Sequence, residues 1–123
     1  MIAIPLVSVV DDNESVRESL PDLLRRFGFL VRAFSSAKEF LASDRISETK
    51  CLILDIAMPG MSGPELHSEL KRLNWKIPVI FITANSDEAL RAHMLEQGAI
   101  ECLFKPIKGA ALLEALTAAL AIS

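Results

Sequence analysis

Five residues of this 123-residue chain carry groups that could work together: the adjacent Asp11 and Asp12, then Asp55, Thr83 and Lys105. Each follows an apolar run of the kind that forms a buried strand. Carboxylates gathered within several ångströms repel one another, which raises at least one pKa unless a cation is present. Oxygen-only ligands select a hard cation. Mg²⁺ suits a site of few carboxylates that leaves room for water and phosphate oxygens, and Mn²⁺ is the other cation such a set accepts. Beside such a cation a carboxylate can act as a nucleophile toward a phosphoryl group, giving an aspartyl phosphate. The new phosphoryl oxygens need partners, and the Lys105 ammonium and Thr83 hydroxyl are of the right kind. The constellation suggests Mg²⁺-dependent phosphoryl transfer to an Asp.

Each residue alone has a plain structural reading. A paired Asp is an ordinary loop or helix-cap feature, and a lone Thr or Lys at a strand end means little. The joint arrangement carries the weight, and it depends on the elements. Ala3–Val10 is continuous and β-branched, as in a strand buried on both faces. From Glu14 to Phe27, Val16, Leu20, Leu23, Leu24 and Phe27 recur at helical spacing, closed by Gly28. Pro21 lies inside that helix and should bend it or loosen its first turns. Leu30–Phe34 reads as a second strand, and Ala37–Ser43 as a short helix capped by Ser35 or Ser36. Cys51–Leu54 is a third strand, ending at Asp55. The Met58-Pro59-Gly60-Met61-Ser62-Gly63 loop follows, then a helix from Pro64 to Leu73 with Leu66, Leu70 and Leu73 on one face. Pro78–Ile82 is a fourth strand before Thr83, Asp87–Gln97 a helix, Ile100–Phe104 a fifth strand before Lys105, and Lys108–Ile122 a closing helix. Such alternation implies one α/β domain over 1–123, a parallel sheet covered on both faces by right-handed crossovers. Ligands of open parallel sheets bind outside the carboxyl ends of the strands. The first, third, fourth and fifth strands all deliver a polar or charged group to that edge.

Composition narrows the function classes. Half the residues are hydrophobic (51%) and 24% are charged, which excludes a disordered chain. The formal net charge of −3 and the shortness of the basic pairs Arg25-Arg26 and Lys71-Arg72 argue against nucleic-acid binding through a basic face. No apolar stretch reaches the ~18 residues of a membrane span. The N-terminus lacks a basic region and runs into Asp11-Asp12, so no signal peptide is expected. Cys51 and Cys102 sit in apolar runs without metal-ligand spacing and read as free buried thiols of a cytoplasmic protein.

Val9-Val10-Asp11-Asp12, Leu54-Asp55-Ile56-Ala57-Met58-Pro59-Gly60-Met61-Ser62-Gly63, Phe81-Ile82-Thr83-Ala84 and Phe104-Lys105-Pro106 closely resemble the receiver domain of bacterial two-component response regulators. The resemblance covers essentially the whole chain in order and spacing. Its general look is closest to receivers that precede a helix-turn-helix transcription domain. It implies a flavodoxin-like (βα)5 three-layer sandwich with sheet order 2-1-3-4-5. It further implies that Asp55 is the phosphoacceptor, and that Asp12 and Asp55, with Asp11 directly or through water and the Ala57 carbonyl, hold Mg²⁺. Thr83 and Lys105 would contact the phosphoryl group, and the Lys105–Pro106 bond would be cis. The partners implied are a sensor histidine kinase and an output domain or effector. The change would appear on the surface of helix 4, strand 5 and helix 5.

Two positions depart from that pattern. Cys102 stands three residues before the Lys, where the family usually has an aromatic ring whose rotamer changes as the Thr moves; Phe104, on the same strand face, could contribute instead. Ala57 stands where a polar side chain often handles the attacking water, with Asn85 two residues after Thr83. The rival readings are a Mg²⁺ phosphohydrolase or phosphotransferase with an Asp nucleophile, and a phosphate-independent interaction module. The first lacks the usual second Asp at Ala57, and the second is supported only by Cys102. His67 and His93 read as exposed or partly packed, Met58, Met61 and Met94 as gap-fillers, and Trp75 as a cover for the sheet's lower end. In the closing helix, Leu112, Leu113, Leu116 and Leu120 read as the core stripe. Its other positions are mostly Ala, which either favours helix alone or marks a face covered by a second protomer or an output domain.

Overall fold

The alternating runs become five strands and five helices in a computed structural model that describes residues 4–122. The strands are β1 (Leu6–Val10), β2 (Leu30–Phe34), β3 (Thr49–Asp55), β4 (Val79–Thr83) and β5 (Glu101–Phe104). The helices are α1 (Glu14–Arg26), α2 (Ala37–Ala42), α3 (Gly63–Arg72), α4 (Glu88–Glu96) and α5 (Gly109–Ile122). All neighbours in the sheet are parallel, in the order β2-β1-β3-β4-β5, as expected. The expected start of the first strand at Ala3 lies outside the described residues.

Strand residues alternate between two cores. Val7, Val9, Cys51, Ile53, Ile80 and Ile82 face α1 and α5, where Leu20, Leu24, Leu112 and Leu116 meet them. Val10, Leu52, Leu54, Phe81 and Cys102 face the opposite layer, with Phe40, Leu66, Leu70 and Met94 from α2, α3 and α4. Burial on both faces is why these strands read as unbroken apolar runs. Both cysteines are free and buried. Burial alone pushes the Cys51 thiol up to about 12. Among the described residues no helix is long and apolar enough to cross a membrane.

Pro21 lies buried within α1, which continues past it to Arg26. Several expectations need correction. The third strand begins at Thr49, two residues before the apolar run. There the Thr49 hydroxyl donates to the Arg45 carbonyl (2.7 Å) and shares a 2.7 Å hydrogen bond with Ser8. Leu73 is not part of a buried stripe: α3 stops at Arg72, and Leu73 caps it at 44% exposure. Leu113 is likewise 41% exposed, because the α5 stripe facing the sheet is Leu112, Ala115, Leu116 and Ala119 at i, i+3, i+4 and i+7. Leu120 packs at its margin. His67, read as exposed or partly packed, is buried, its ring edge-on to Phe81 with centroids 5.5 Å apart. Burial, with Lys71 nearby, lowers its pKa to about 4, so it packs as the neutral form. His93 is exposed, Met58 and Met94 fill the core, Met61 packs against it, and Trp75 stays 38% exposed.

Leu116, buried against the sheet, and Leu113, exposed beside it on α5, should differ sharply in what they contribute to stability. Leu116→Ala is expected to destabilise the protein by about 2–5 kcal/mol through lost burial and a residual cavity, and Leu113→Ala by less than about 0.5 kcal/mol. Equilibrium urea unfolding measures both.

Candidate functional site

The strand order reverses between β1 and β3, where chain connections leave in opposite directions and open a crevice at the carboxyl ends. Asp11 and Asp12 follow β1, and Asp55 is the last residue of β3. The Asp11 amide donates to the Phe34 carbonyl (3.1 Å), extending the β1–β2 ladder by one bond. Its side chain is wholly buried, and Oδ1 accepts from the Asn13 amide at 2.8 Å. Asn13 also caps α1, its Oδ1 accepting from the Ser15 amide at 2.9 Å. Asp12 is exposed.

Beyond Asp55, the chain turns back under it. Ser62 and Glu65 form a capping box that starts α3, and the Gly63 amide donates to the Ile56 carbonyl at 3.0 Å. A Cβ on Gly63 would strike the Asp55 carbonyl oxygen. Only glycine allows this loop to close over the end of β3.

Carboxylate oxygens of Asp11, Asp12 and Asp55 lie within 4.8 Å of one another. Lys105 enters from beyond β5, its Nζ 3.0 Å from Asp11 Oδ2 and 3.5 Å from Asp55 Oδ1. The Lys105–Pro106 bond is cis, as expected, and the Lys105 amide donates to the Thr83 carbonyl at 2.7 Å. Asp11 Oδ2 has that ammonium at ion-pair distance yet forms no hydrogen bond. Burial raises the pKa of Asp55 to about 6, reinforced by the Asp11 charge and opposed by Lys105. Burial disfavours the charge on Lys105, but attraction to Asp11 and Asp55 prevails and holds its pKa above the usual value. One ammonium thus faces three crowded carboxylates. An all-oxygen donor set that gathers three carboxylates, two of them buried, around one ammonium fits a hard divalent cation.

Of the five residues expected to act together, Asp11, Asp12, Asp55 and Lys105 converge. Thr83 reaches the same edge at 3% exposure, but its hydroxyl accepts from the Asn85 amide (3.0 Å) and bonds none of the three aspartates. Cys102 is 1% exposed in the α3/α4-side core with Phe81 and Met94. Phe104 pairs in register with Thr83 and is half-buried. Ala57 is exposed two residues beyond Asp55.

A sequence model of the response regulator receiver domain matches residues 7–117. This chain belongs to the response-regulator receiver family. It is 44% identical over 114 residues to nodulation protein W of Bradyrhizobium diazoefficiens, covering 93% of this chain and 50% of that protein. It is 41% identical over 117 residues to the transcriptional regulatory protein TdiR of Thauera aromatica, covering 95% of this chain and 52% of that protein. The chain therefore spans about half the length of these curated relatives. Among solved structures, the response regulator StyR superposes with a TM-score of 0.88 at 46% identity, over 98% of this chain and 61% of that one. FixJ-N superposes with a TM-score of 0.85 at 34% identity, over 98% and 96%.

Two residues of the receiver's site were not singled out from sequence. Asn13 caps a helix and fixes an aspartate at once, and only its position between an acidic pair and a helical period hints at this. Gly63 was legible as a loop glycine, but its closeness to Asp55 arises from tertiary packing.

Relieving the crowding should show in stability. In EDTA, Asp12→Asn is expected to raise the urea unfolding midpoint above that of the wild-type receiver, because one of three like charges is removed. An unchanged or lower midpoint would mean that Lys105 already balances the cluster.

Proposed function

We propose that Asp55 accepts a phosphoryl group, from the phosphohistidine of a sensor histidine kinase or from a small donor such as acetyl phosphate, with Mg²⁺ assistance. The observation that carries this reading is the meeting of a 5%-exposed carboxylate with two further carboxylates and one ammonium at the strand-order switch. When bound, Mg²⁺ supplies charge neutralisation for the phosphoryl oxygens. Asp12 and Asp55, Asp11 directly or through water, and the Ala57 carbonyl would hold it, and Mn²⁺ suits the same donors.

The ionised Asp55 oxygen attacks phosphorus as the bond to the donor's leaving group breaks. Lys105, already between Asp11 and Asp55, pairs with the phosphoryl oxygens. The Thr83 hydroxyl exchanges the Asn85 amide for a phosphoryl oxygen, which moves the β4–α4 loop. A pre-existing two-state equilibrium is thereby biased. The altered surface is that of α4, β5 and α5, where Arg91 bridges to Glu101 (2.8 Å) and Leu113 stands exposed. With Cys102 packed in the core, Phe104 beside Thr83 is the ring that follows the hydroxyl. The output is an attached domain, an effector protein or a second protomer. The single receiver domain over 1–123 acts in the cytoplasm as a switch and turns over no external substrate.

Incubation with Mg²⁺ and acetyl phosphate is expected to add one phosphoryl group by intact mass. Asp55→Asn should take up none, and full labelling of that variant would overturn the assignment.

Lys105→Ala is expected to keep phosphorylation but lose much of the conformational response. Comparing amide chemical-shift changes at α4 and β5 with and without beryllofluoride measures it, and a wild-type response would remove Lys105 from the relay.

A further inference from the structure

Arg17 sits one turn into α1, half-buried, and its Nη1 donates to the Asp11 carbonyl at 3.0 Å. Its own amide donates to the Asn13 carbonyl at 3.1 Å. The Asn13 amide in turn donates to Asp11 Oδ1 at 2.8 Å, and the Asn13 side chain caps the helix that carries Arg17. The β1–α1 segment is therefore clamped at both ends from the first turns of α1. Asp12, exposed and central to that segment, takes its place from the two residues beside it. The bond from Arg17 and the bond to the Asp11 carboxylate are both charge-assisted, and such bonds are roughly twice as strong as neutral ones. The Arg17 bond is the one of the two that a side-chain substitution outside the acidic cluster can remove. The Arg17 contact is also independent of Lys105, which approaches the same aspartate from its carboxylate side.

We propose that Arg17 is a positioning residue for the acidic cluster: by holding the Asp11 carbonyl it sets the spacing of the Asp11 and Asp12 carboxylates on which cation affinity depends. This rests on the Mg²⁺ site proposed above. Residues that orient metal ligands without touching the metal change affinity by about 10–100-fold when lost. Arg17 offers a single donor atom here rather than a fork, so a lysine can take over most of the contact.

The test uses the whole 123-residue chain and Mg²⁺ titration by isothermal calorimetry, with circular dichroism confirming the fold of each variant. Arg17→Met is expected to weaken Mg²⁺ binding by about tenfold, with Arg17→Lys recovering most of the loss. Arg25→Met, which removes an equal charge from an exposed pair with Asp22 on the same helix, should leave affinity unchanged. In acetyl phosphate labelling, Arg17→Met should raise the half-saturating Mg²⁺ concentration without lowering the rate at saturation. In EDTA, the Asn13 amide proton resonance should move in Arg17→Met and not in Arg25→Met, which reports loss of the clamp with no metal present. Wild-type Mg²⁺ affinity in a folded Arg17→Met overturns the proposal, and so does an equal loss in Arg25→Met or no recovery in Arg17→Lys. If Arg17→Met fails to fold, Arg17→Gln carries the same comparisons. Absence of Mg²⁺ binding by the wild-type chain would instead remove the cation site itself.

Discussion

The structure turns on an electrostatic conflict at the carboxyl ends of β1 and β3. Two like charges at about 4 Å in an effective dielectric of about 20 repel by about 4 kcal/mol, and this crevice holds Asp11, Asp12 and Asp55 together. Lys105 supplies one positive charge between two of the three. The remainder of the conflict is expressed in the raised pKa of Asp55. Such an arrangement is poor for stability and good for binding a cation and a phosphoryl group. Sites of this sort are where proteins depart from the rules that govern the rest of the fold.

Holding repelling groups together requires stiff backbone, and the fold provides it on the side of the aspartates. Asp11 is fixed by bonds from its own amide, from Asn13 and from Arg17. Asp55 ends a fully buried stretch of β3, under a loop closed by Gly63 and a capping box. The opposite side of the crevice is built differently. Thr83 is buried, but the residues that follow it, Ala84 to Glu88, are exposed and lead into α4. In the proposed switch, an acceptor held rigidly beside a buried hydroxyl that leads into an exposed loop would place the structural response on the α4 side, away from the groups that do the chemistry.

Some of this organisation is written in local sequence. The β2 limits Leu30–Phe34 and a helix opening after the Pro/Gly loop near Pro64 follow from short-range rules, although α3 starts one residue earlier at Gly63 and Asp87 caps α4 instead of opening it. Where a residue's role depends on which neighbour covers it, local reading failed. Leu73 and Leu113 looked like core leucines by spacing and are exposed, one because its helix ends before it and the other because the sheet meets α5 about 100° away. His67 read as exposed or partly packed, and is buried against Phe81. The polar start of β3 at Thr49 was hidden because its partner, Ser8, is 41 residues away.

The sequence by itself determined the alternation of strands and helices, the two-faced burial of the strands, and the presence of acidic, hydroxyl and ammonium groups at strand ends. Those follow from periodicity and side-chain chemistry, which are local. Only the tertiary structure decided that Lys105 stands between Asp11 and Asp55, that Thr83 is held by Asn85, that Cys102 is core, and that Arg17 reaches back to the Asp11 carbonyl. Each of these is a distance between residues brought together by crossovers or by a helix folding back on its loop. Spacing along the chain does not encode such distances until the sheet order is set.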